Sequence, residues 1–209
     1  MRFVHYGHAC VLVETERARL LFDPGAFSTG YAGLTDLDAV LITHEHFDHL
    51  DTEALPALLE GNPRARLVVD AGAAKLVEGL EFTVARPGDE LTLGGAKVRA
   101  TGGQHAIIHE DIPVISNTGF LVEDGGFYHP GDSLFVPPQE IDVLGVPISG
   151  PWLKTSEAIG FARVAKPRVA VPIHEAVHAN PAMFHGMIGN LLPEETAFTV
   201  LEQGQQTAL

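Results

Sequence analysis

The N-terminal part of the chain alternates short apolar runs with glycine, proline and aspartate. This pattern predicts three strands joined as an antiparallel meander, at residues 2–6, 9–14 and 19–22. A loop rich in Gly, Ser and Thr follows, and the continuous apolar run at residues 39–43 then predicts a buried strand. A helix is expected over residues 52–60, where Pro56 would separate a first turn from a second short helix.

The rest of the chain mixes strand-like and helix-like segments. Helices are expected at residues 71–78 and 156–165. Further strands are expected at residues 67–69, 82–85, 90–93, 97–101, 118–122, 127–129, 143–148 and 169–173. No fixed-period repeat or linker interrupts the order, so residues 1–209 are predicted to form a single α/β domain with helices covering the sheet faces.

Composition narrows the functional classes. The formal net charge is −14 and the Lys and Arg residues are scattered, which disfavours a nucleic-acid partner. Cys10 is the single cysteine, so the chain cannot form an internal disulfide. The start of the chain lacks the apolar region of a signal peptide, and no run approaches the roughly 18 apolar residues of a membrane span. We therefore expect a cytoplasmic protein that acts on a small molecule, while self-association into a homo-oligomer stays open.

A cluster of metal-binding side chains directly follows the buried strand at residues 39–43. His44, His46, Asp48 and His49 occupy four of six consecutive positions. Imidazole and carboxylate groups bind divalent ions such as zinc, and without an ion they would form a costly polar cluster. His44 and His46 are two residues apart in extended backbone and can share one ion. Asp48 and His49, beyond the turn, can reach a second ion.

Three further candidate ligands stand just beyond the end of a predicted strand. They are His105, Asp132 and His174. Ligands at strand ends are held by a rigid scaffold while one side stays open to a substrate. Two neighbouring ions commonly share a carboxylate and a hydroxide, and Asp132 is the candidate for the shared carboxylate.

The motif His44-x-His46-x-Asp48-His49, followed by His105, Asp132 and His174, resembles the metallo-β-lactamase superfamily. Within it, Tyr6-Gly7-His8 and Pro172-Ile173-His174 resemble the branch of metal-dependent hydrolases related to ascorbate-6-phosphate lactonase. The resemblance implies a four-layer αββα sandwich with the site at one edge of the two sheets.

The resemblance also assigns the ligands. It implies His44, His46 and His105 on one ion, Asp48, His49 and His174 on the other, and Asp132 between them. Asp48 and Asp132 are the expected catalytic residues. The two divalent ions are expected to be zinc, with Mn2+ or Fe2+ as alternatives.

The expected reaction is hydrolysis of a lactone, ester or phosphodiester by a hydroxide that bridges the two ions. One alternative stays open, a mononuclear iron dioxygenase that acts on a persulfide and uses the same fold. Its iron would be held by His44, His105 and Asp132.

Several polar residues near these motifs have open roles. Asp23 either forms the turn before Pro24 or supports the metal-binding loop, and we favour support because ligand histidines usually need orienting partners. His8 either faces the site or only forms a turn. Trp152 is a candidate apolar wall of the pocket. The remaining open roles are those of His109, His178, His185 and Lys154.

Overall fold

Two seven-stranded β-sheets form the centre of the protein in a computed structural model that describes residues 1–209. The α-helices are α1 (Leu55–Glu60), α2 (Thr155–Ala165) and α3 (Pro181–Gly189). The strands are β1 (Arg2–His5), β2 (Val11–Glu14), β3 (Arg19–Phe22), β4 (Ala39–Ile42), β5 (Arg66–Val69), β6 (Phe82–Val84), β7 (Glu90–Leu93), β8 (Ala96–Gly102), β9 (Thr118–Val122), β10 (Phe127–His129), β11 (Val143–Pro147), β12 (Val169–Ile173), β13 (Ala197–Phe198) and β14 (Gln206–Ala208). Two short 3-10 helices lie at Ala73–Leu76 and Glu123–Gly125.

The two sheets have the same pattern of strand pairings, with three antiparallel pairings on one side and three parallel pairings on the other. The first has the strand order β14-β1-β2-β3-β4-β5-β6, and the second has the order β13-β12-β11-β10-β9-β8-β7. In the first sheet the pairings from β14 to β3 are antiparallel and those from β3 to β6 are parallel. In the second, the pairings from β7 to β10 are antiparallel and those from β10 to β13 are parallel. The predicted meander of the first three strands is confirmed.

The apolar core lies in three layers between and outside the sheets. Aromatic residues join the sheets at the centre, where Phe22 of β3 contacts Phe127 of β10 with ring centroids 5.6 Å apart. Leu55 and Leu58 of α1 pack against the outer face of the first sheet. Phe161 of α2 belongs to a third cluster with the outer face of the second sheet. Helices therefore cover both outer faces, and the expected αββα sandwich is confirmed.

Six of the strands that end at one edge of the sandwich lead into the candidate site. β1, β3 and β4 run in one direction in the first sheet, and β8, β10 and β12 do so in the second. The loops that leave these six strands carry His8, Asp23, the cluster from His44 to His49, His105, Asp132 and His174. The sheets thus bring residues from distant parts of the sequence to one edge.

The structure corrects several predicted elements. The helix expected at residues 71–78 is only the 3-10 turn Ala73–Leu76. The helix expected from residue 52 begins at Leu55, because Pro56 is tolerated only in the first helical turn. The sequence pattern missed α3, β13 and β14. The edge strand β14 pairs through backbone groups and has no buried face, so no apolar alternation marks it. None of the helices has the length and hydrophobicity needed to cross a bilayer.

Candidate metal centre

The predicted ligands converge into two adjacent groups at the shared edge of the sheets. Within each group, one nitrogen or oxygen atom per residue lies within 4.8 Å of the others. The first group is His44, His46, His105 and Asp132, and the second is His8, Asp48, His49 and His174. The structure thus brings together all seven residues singled out from the sequence, and it adds His8.

Asp132 lies between the two groups. Its Oδ2 atom is 3.3 Å from Nε2 of His105 in the first group and 3.1 Å from Nε2 of His174 in the second. Its Oδ1 atom is 3.1 Å from Nε2 of His49. A carboxylate that lies within reach of both groups has the placement expected of a shared ligand.

Three residues of the centre adopt the left-handed backbone conformation that side chains usually avoid. The φ angles are 52° for His8, 44° for Asp23 and 63° for His174. Each follows a strand end and turns the chain sharply at the edge of the sheet. The backbone N–H of His174 donates to the carbonyl of His8 at 2.8 Å, which ties two of these turns together. Such backbone strain is concentrated at functional sites because the surrounding structure holds it there.

Asp23 orients the segment that carries the candidate ligands through hydrogen bonds to Thr43 and His49. It is fully buried and accepts hydrogen bonds from the backbone N–H and the hydroxyl of Thr43, at 2.8 and 2.7 Å. Its Oδ2 atom also lies 2.7 Å from Nδ1 of His49. Since a carboxylate can only accept, Nδ1 of His49 carries a proton and donates a hydrogen bond to Asp23, and Nε2 is the nitrogen that faces the centre. The favoured role of Asp23 as a support of the metal-binding loop agrees with these contacts.

Hydrogen bonds also orient two candidate ligand histidines of the first group. Nδ1 of His44 lies 3.0 Å from the hydroxyl oxygen of Thr43, whose proton is already given to Asp23. Nδ1 of His105 lies 2.6 Å from the carbonyl oxygen of Ala106. Both rings therefore donate through Nδ1 and present Nε2 to the centre, the arrangement that metal-binding histidines need.

Asp132 is held by two partners that the sequence did not reveal. Its backbone N–H donates to the side-chain oxygen of Asn117 at 2.9 Å. The indole N–H of Trp152 donates to Oδ2 of Asp132, also at 2.9 Å. Trp152 is buried, so it is a hydrogen-bond donor to the centre and not only the apolar wall expected from the sequence. No sequence pattern around Asp132 indicates these contacts, because Asn117 and Trp152 lie 15 and 20 residues away from it in the chain.

His8 is joined to Asp48. Its Nε2 atom lies 2.9 Å from Oδ2 of Asp48, while its Nδ1 atom accepts the backbone N–H of Ala176 at 3.3 Å. The proton of the neutral ring is therefore on Nε2, which donates to Asp48. The open question about His8 is answered, since this fully buried side chain faces the centre.

The buried polar atoms of the centre fit a divalent ion. Nε2 of His49 and of His105, both ring nitrogens of His174 and Oδ1 of Asp132 are buried without a hydrogen bond. Leaving such atoms unpaired is costly in a folded protein, and the cost disappears if they coordinate a cation. The donor set of imidazoles and carboxylates is the one that zinc and related ions prefer.

The electrostatics of the centre also favour a cation. Burial opposes ionisation of Asp132, yet His49 and His174 hold its pKa well below the ordinary range. Burial opposes a positive charge on His49, but Asp132 and Asp23 raise its pKa well above the usual value. Burial also opposes ionisation of Asp48, while the hydrogen bond from His8 helps to lower its pKa to about 2. Both Asp132 and Asp48 are thus ionised at neutral pH and attract positive charge.

The remaining candidates lie outside the two groups. His109 is exposed and its ring accepts the backbone N–H of Asp111, so it is a surface residue. His178 stacks on Phe184 with ring centroids 3.5 Å apart. His185 lies on α3, with its ring 6.2 Å from that of Phe198. Lys154 is exposed at the start of α2.

Comparison with known proteins gives the family of this chain. Residues 2–174 match the model of the beta-lactamase superfamily domain. The chain belongs to this superfamily. Protein Rv0786c of Mycobacterium tuberculosis is 46% identical over 212 residues, which cover 95% of this chain and 100% of that protein. A UPF0173 metal-dependent hydrolase of Opitutus terrae is 29% identical over 201 residues, covering 87% of this chain and 86% of that protein.

The fold of the superfamily is also found among solved structures. The metallo-beta-lactamase fold protein YhfI from Bacillus subtilis superposes with a TM-score of 0.75 at 14% identity, covering 99% of this chain and 98% of that one. The resemblance inferred from the sequence motifs is therefore confirmed for the superfamily and the fold. The narrower likeness to ascorbate-6-phosphate lactonase stays a prediction.

Proposed function

We propose that this protein is a hydrolase that holds two divalent ions at the edge of its sheets and cleaves an ester, lactone or phosphodiester bond in a small molecule. The observation that carries the proposal is the convergence of seven predicted ligands into two groups, in which ring nitrogens of His49, His105 and His174 and Oδ1 of Asp132 are buried without hydrogen bonds. The relative from Opitutus terrae is named a metal-dependent hydrolase, which supports the same reaction class.

The proposed division of ligands follows the two groups. His44, His46 and His105 hold one ion, and Asp48, His49 and His174 hold the other. Asp132 contributes to both. Five of these seven ligands are histidines, so zinc is the first choice, with manganese or iron as alternatives.

When bound, the ions lower the pKa of a coordinated water towards roughly 7 and polarise the bond under attack. The protein supplies the rest. Asp48, ionised and held by His8, accepts a hydrogen bond from the attacking water and so orients it towards the substrate. Asp132, held by Trp152 and Asn117, keeps the two groups at a constant separation.

A mononuclear iron dioxygenase is less well supported. Such an enzyme would use His44, His105 and Asp132 and would leave the buried nitrogens of His49 and His174 without partners. Leaving those atoms unpaired would destabilise the folded protein. The filled second group therefore favours two ions.

The proposal is tested by elemental analysis of the purified protein together with a screen of substrates. We expect about two divalent ions per chain and hydrolysis of at least one lactone, ester or phosphodiester, lost on treatment with a chelator and restored by zinc or manganese. One iron per chain with oxygen consumption on a persulfide would overturn it in favour of the dioxygenase. His109→Ala, outside both groups, is the matched control and should keep the full metal content.

A further inference from the structure

A groove of about 540 Å3 lies beside the metal centre, between the loop after β8 and the loop after β10. Its lining includes His105, Ala106, Ile107, Ser133, Leu134 and Phe135. His105 belongs to the first ligand group, and Ser133 directly follows Asp132. The groove therefore borders the centre at His105.

The groove carries exposed apolar side chains beside polar ones. The side chains of Ile107 and Phe135 are 68% and 43% exposed, although both belong to loops that leave the centre. At the other end of the centre, Phe27 packs edge-on against the ring of His8 at 5.3 Å and against Phe47 at 5.2 Å. Single exposed apolar residues are common, but here they concentrate on the loops that carry ligands.

Cations are scarce around the centre. The loops at residues 23–31, 43–51, 103–117, 130–137, 148–154 and 174–180 contain one Lys or Arg, which is Lys154. The loop that lines the groove instead carries Glu110 and Asp111. A substrate with carboxylate or phosphate groups away from the reacting bond would find few partners and some repulsion.

We infer that this groove binds an uncharged, apolar portion of the substrate, so that the bond under attack is a carboxylic ester or lactone joined to an aliphatic or aromatic group. The inference rests on the proposed hydrolase function and narrows its substrate class. The apolar portion covers Ile107 and Phe135, while the carbonyl group lies at the two ligand groups. Binding sites of this kind combine an apolar lining with a few convergent polar groups.

The test uses the metal-loaded full chain and a series of alkyl hydroxamates with two, four, six and eight carbons. The hydroxamate group binds the ions, so affinity is measured by calorimetry without any turnover. We expect the dissociation constant to fall by up to about fourfold for each methylene that the groove covers. Equal affinity along the series, or no binding by the longest member, would overturn the inference.

Two variants test whether the dependence of affinity on chain length arises in the groove. Ile107→Ser should raise the dissociation constant of the eight-carbon compound about tenfold, because the apolar contact is lost, and leave that of the two-carbon compound within about twofold. The matched control is Val164→Ser on α2, since Val164 is 67% exposed and lies away from the groove. An equal effect of the two substitutions would contradict a role for the groove.

Hydrolysis separates this inference from the proposed function. If acetate and octanoate esters are hydrolysed with the same kcat/KM, the hydrolase function is supported and the role of the groove in binding an apolar group is contradicted. The opposite result is hydroxamate affinity that depends clearly on chain length, with no hydrolysis of any ester, lactone or phosphodiester. It would support apolar binding in the groove and contradict the hydrolase function.

Discussion

The indole N–H of Trp152, in the loop between β11 and α2, donates a hydrogen bond to Oδ2 of Asp132 at 2.9 Å. The same ring meets His105 and His174 edge-on, with centroids 5.8 and 5.9 Å away. One side chain thus touches a residue from each ligand group and the carboxylate between them. Trp152 is also the single tryptophan of the chain.

Replacing Trp152 by Phe should weaken metal binding while keeping the ring that packs against the histidines. Loss of the hydrogen bond leaves Asp132 free to rotate, and partners of this kind are typically worth 10- to 100-fold in metal affinity or activity. Competition with a chromogenic chelator measures the affinity. In the unchanged protein, the fluorescence of Trp152 should also shift on metal binding. Unaltered affinity in the variant would show that Asp132 needs no such support.

His8→Asn should lower the affinity of the second group for its ion. Asn tolerates the left-handed backbone at this position, so the turn survives, but its shorter side chain does not reach Asp48. We expect a decrease of about tenfold in affinity for one ion. Titration of the metal-free protein followed by calorimetry distinguishes the two binding steps. Equal weakening of both steps would point to a general loss of structure.

His49→Ala should reduce the metal content by about one ion per chain, since it removes a ligand from the second group only. Mass-spectrometric elemental analysis after dialysis gives the stoichiometry. His109→Ala is the control, because His109 is an exposed histidine outside both groups. If both variants retain the same metal content as the unchanged protein, His49 is not a ligand.

Gly131→Ala should destabilise the protein and disturb Asp132. Gly131 has a φ of 62°, and a Cβ there would collide with the Asn117 side chain and lie 2.7 Å from Oγ1 of Thr43. We expect a loss of about 1–3 kcal/mol in the free energy of unfolding.

Gly160→Ala is the matched control substitution, and it should raise the free energy of unfolding where Gly131→Ala lowers it. Its Cβ meets nothing within 4 Å inside α2, and alanine favours a helix over glycine by about 1 kcal/mol. Urea unfolding of the two variants at the same metal load measures both effects. A Gly131→Ala variant as stable as the unchanged protein would contradict the close packing around Asp132.

The candidate ligands could be predicted from the sequence because their positions depend on local backbone geometry. His44 and His46 follow a buried strand at a spacing of two, and His105, Asp132 and His174 each follow another strand. Strand periodicity and turn residues are local properties, so these positions could be assigned without knowing how the sheets pack.

The partners of those ligands could not be assigned in this way. His8 meets Asp48 from 40 residues away, and its ring also accepts the N–H of Ala176 from 168 residues away. The helix α3 and the edge strand β14 also went unpredicted, since neither carries a strong apolar period.

The sequence alone thus determined the superfamily, the candidate ligands and the strands that carry them. The tertiary structure decided which side chains hold those residues in place, with His8 bonded to Asp48 and Trp152 bonded to Asp132. It also placed a groove with apolar side chains next to His105. The physical reason is that hydrogen bonds and grooves between distant segments exist only once the two sheets have packed face to face. Spacing along the chain reports on the backbone, whereas these contacts depend on the core between the sheets.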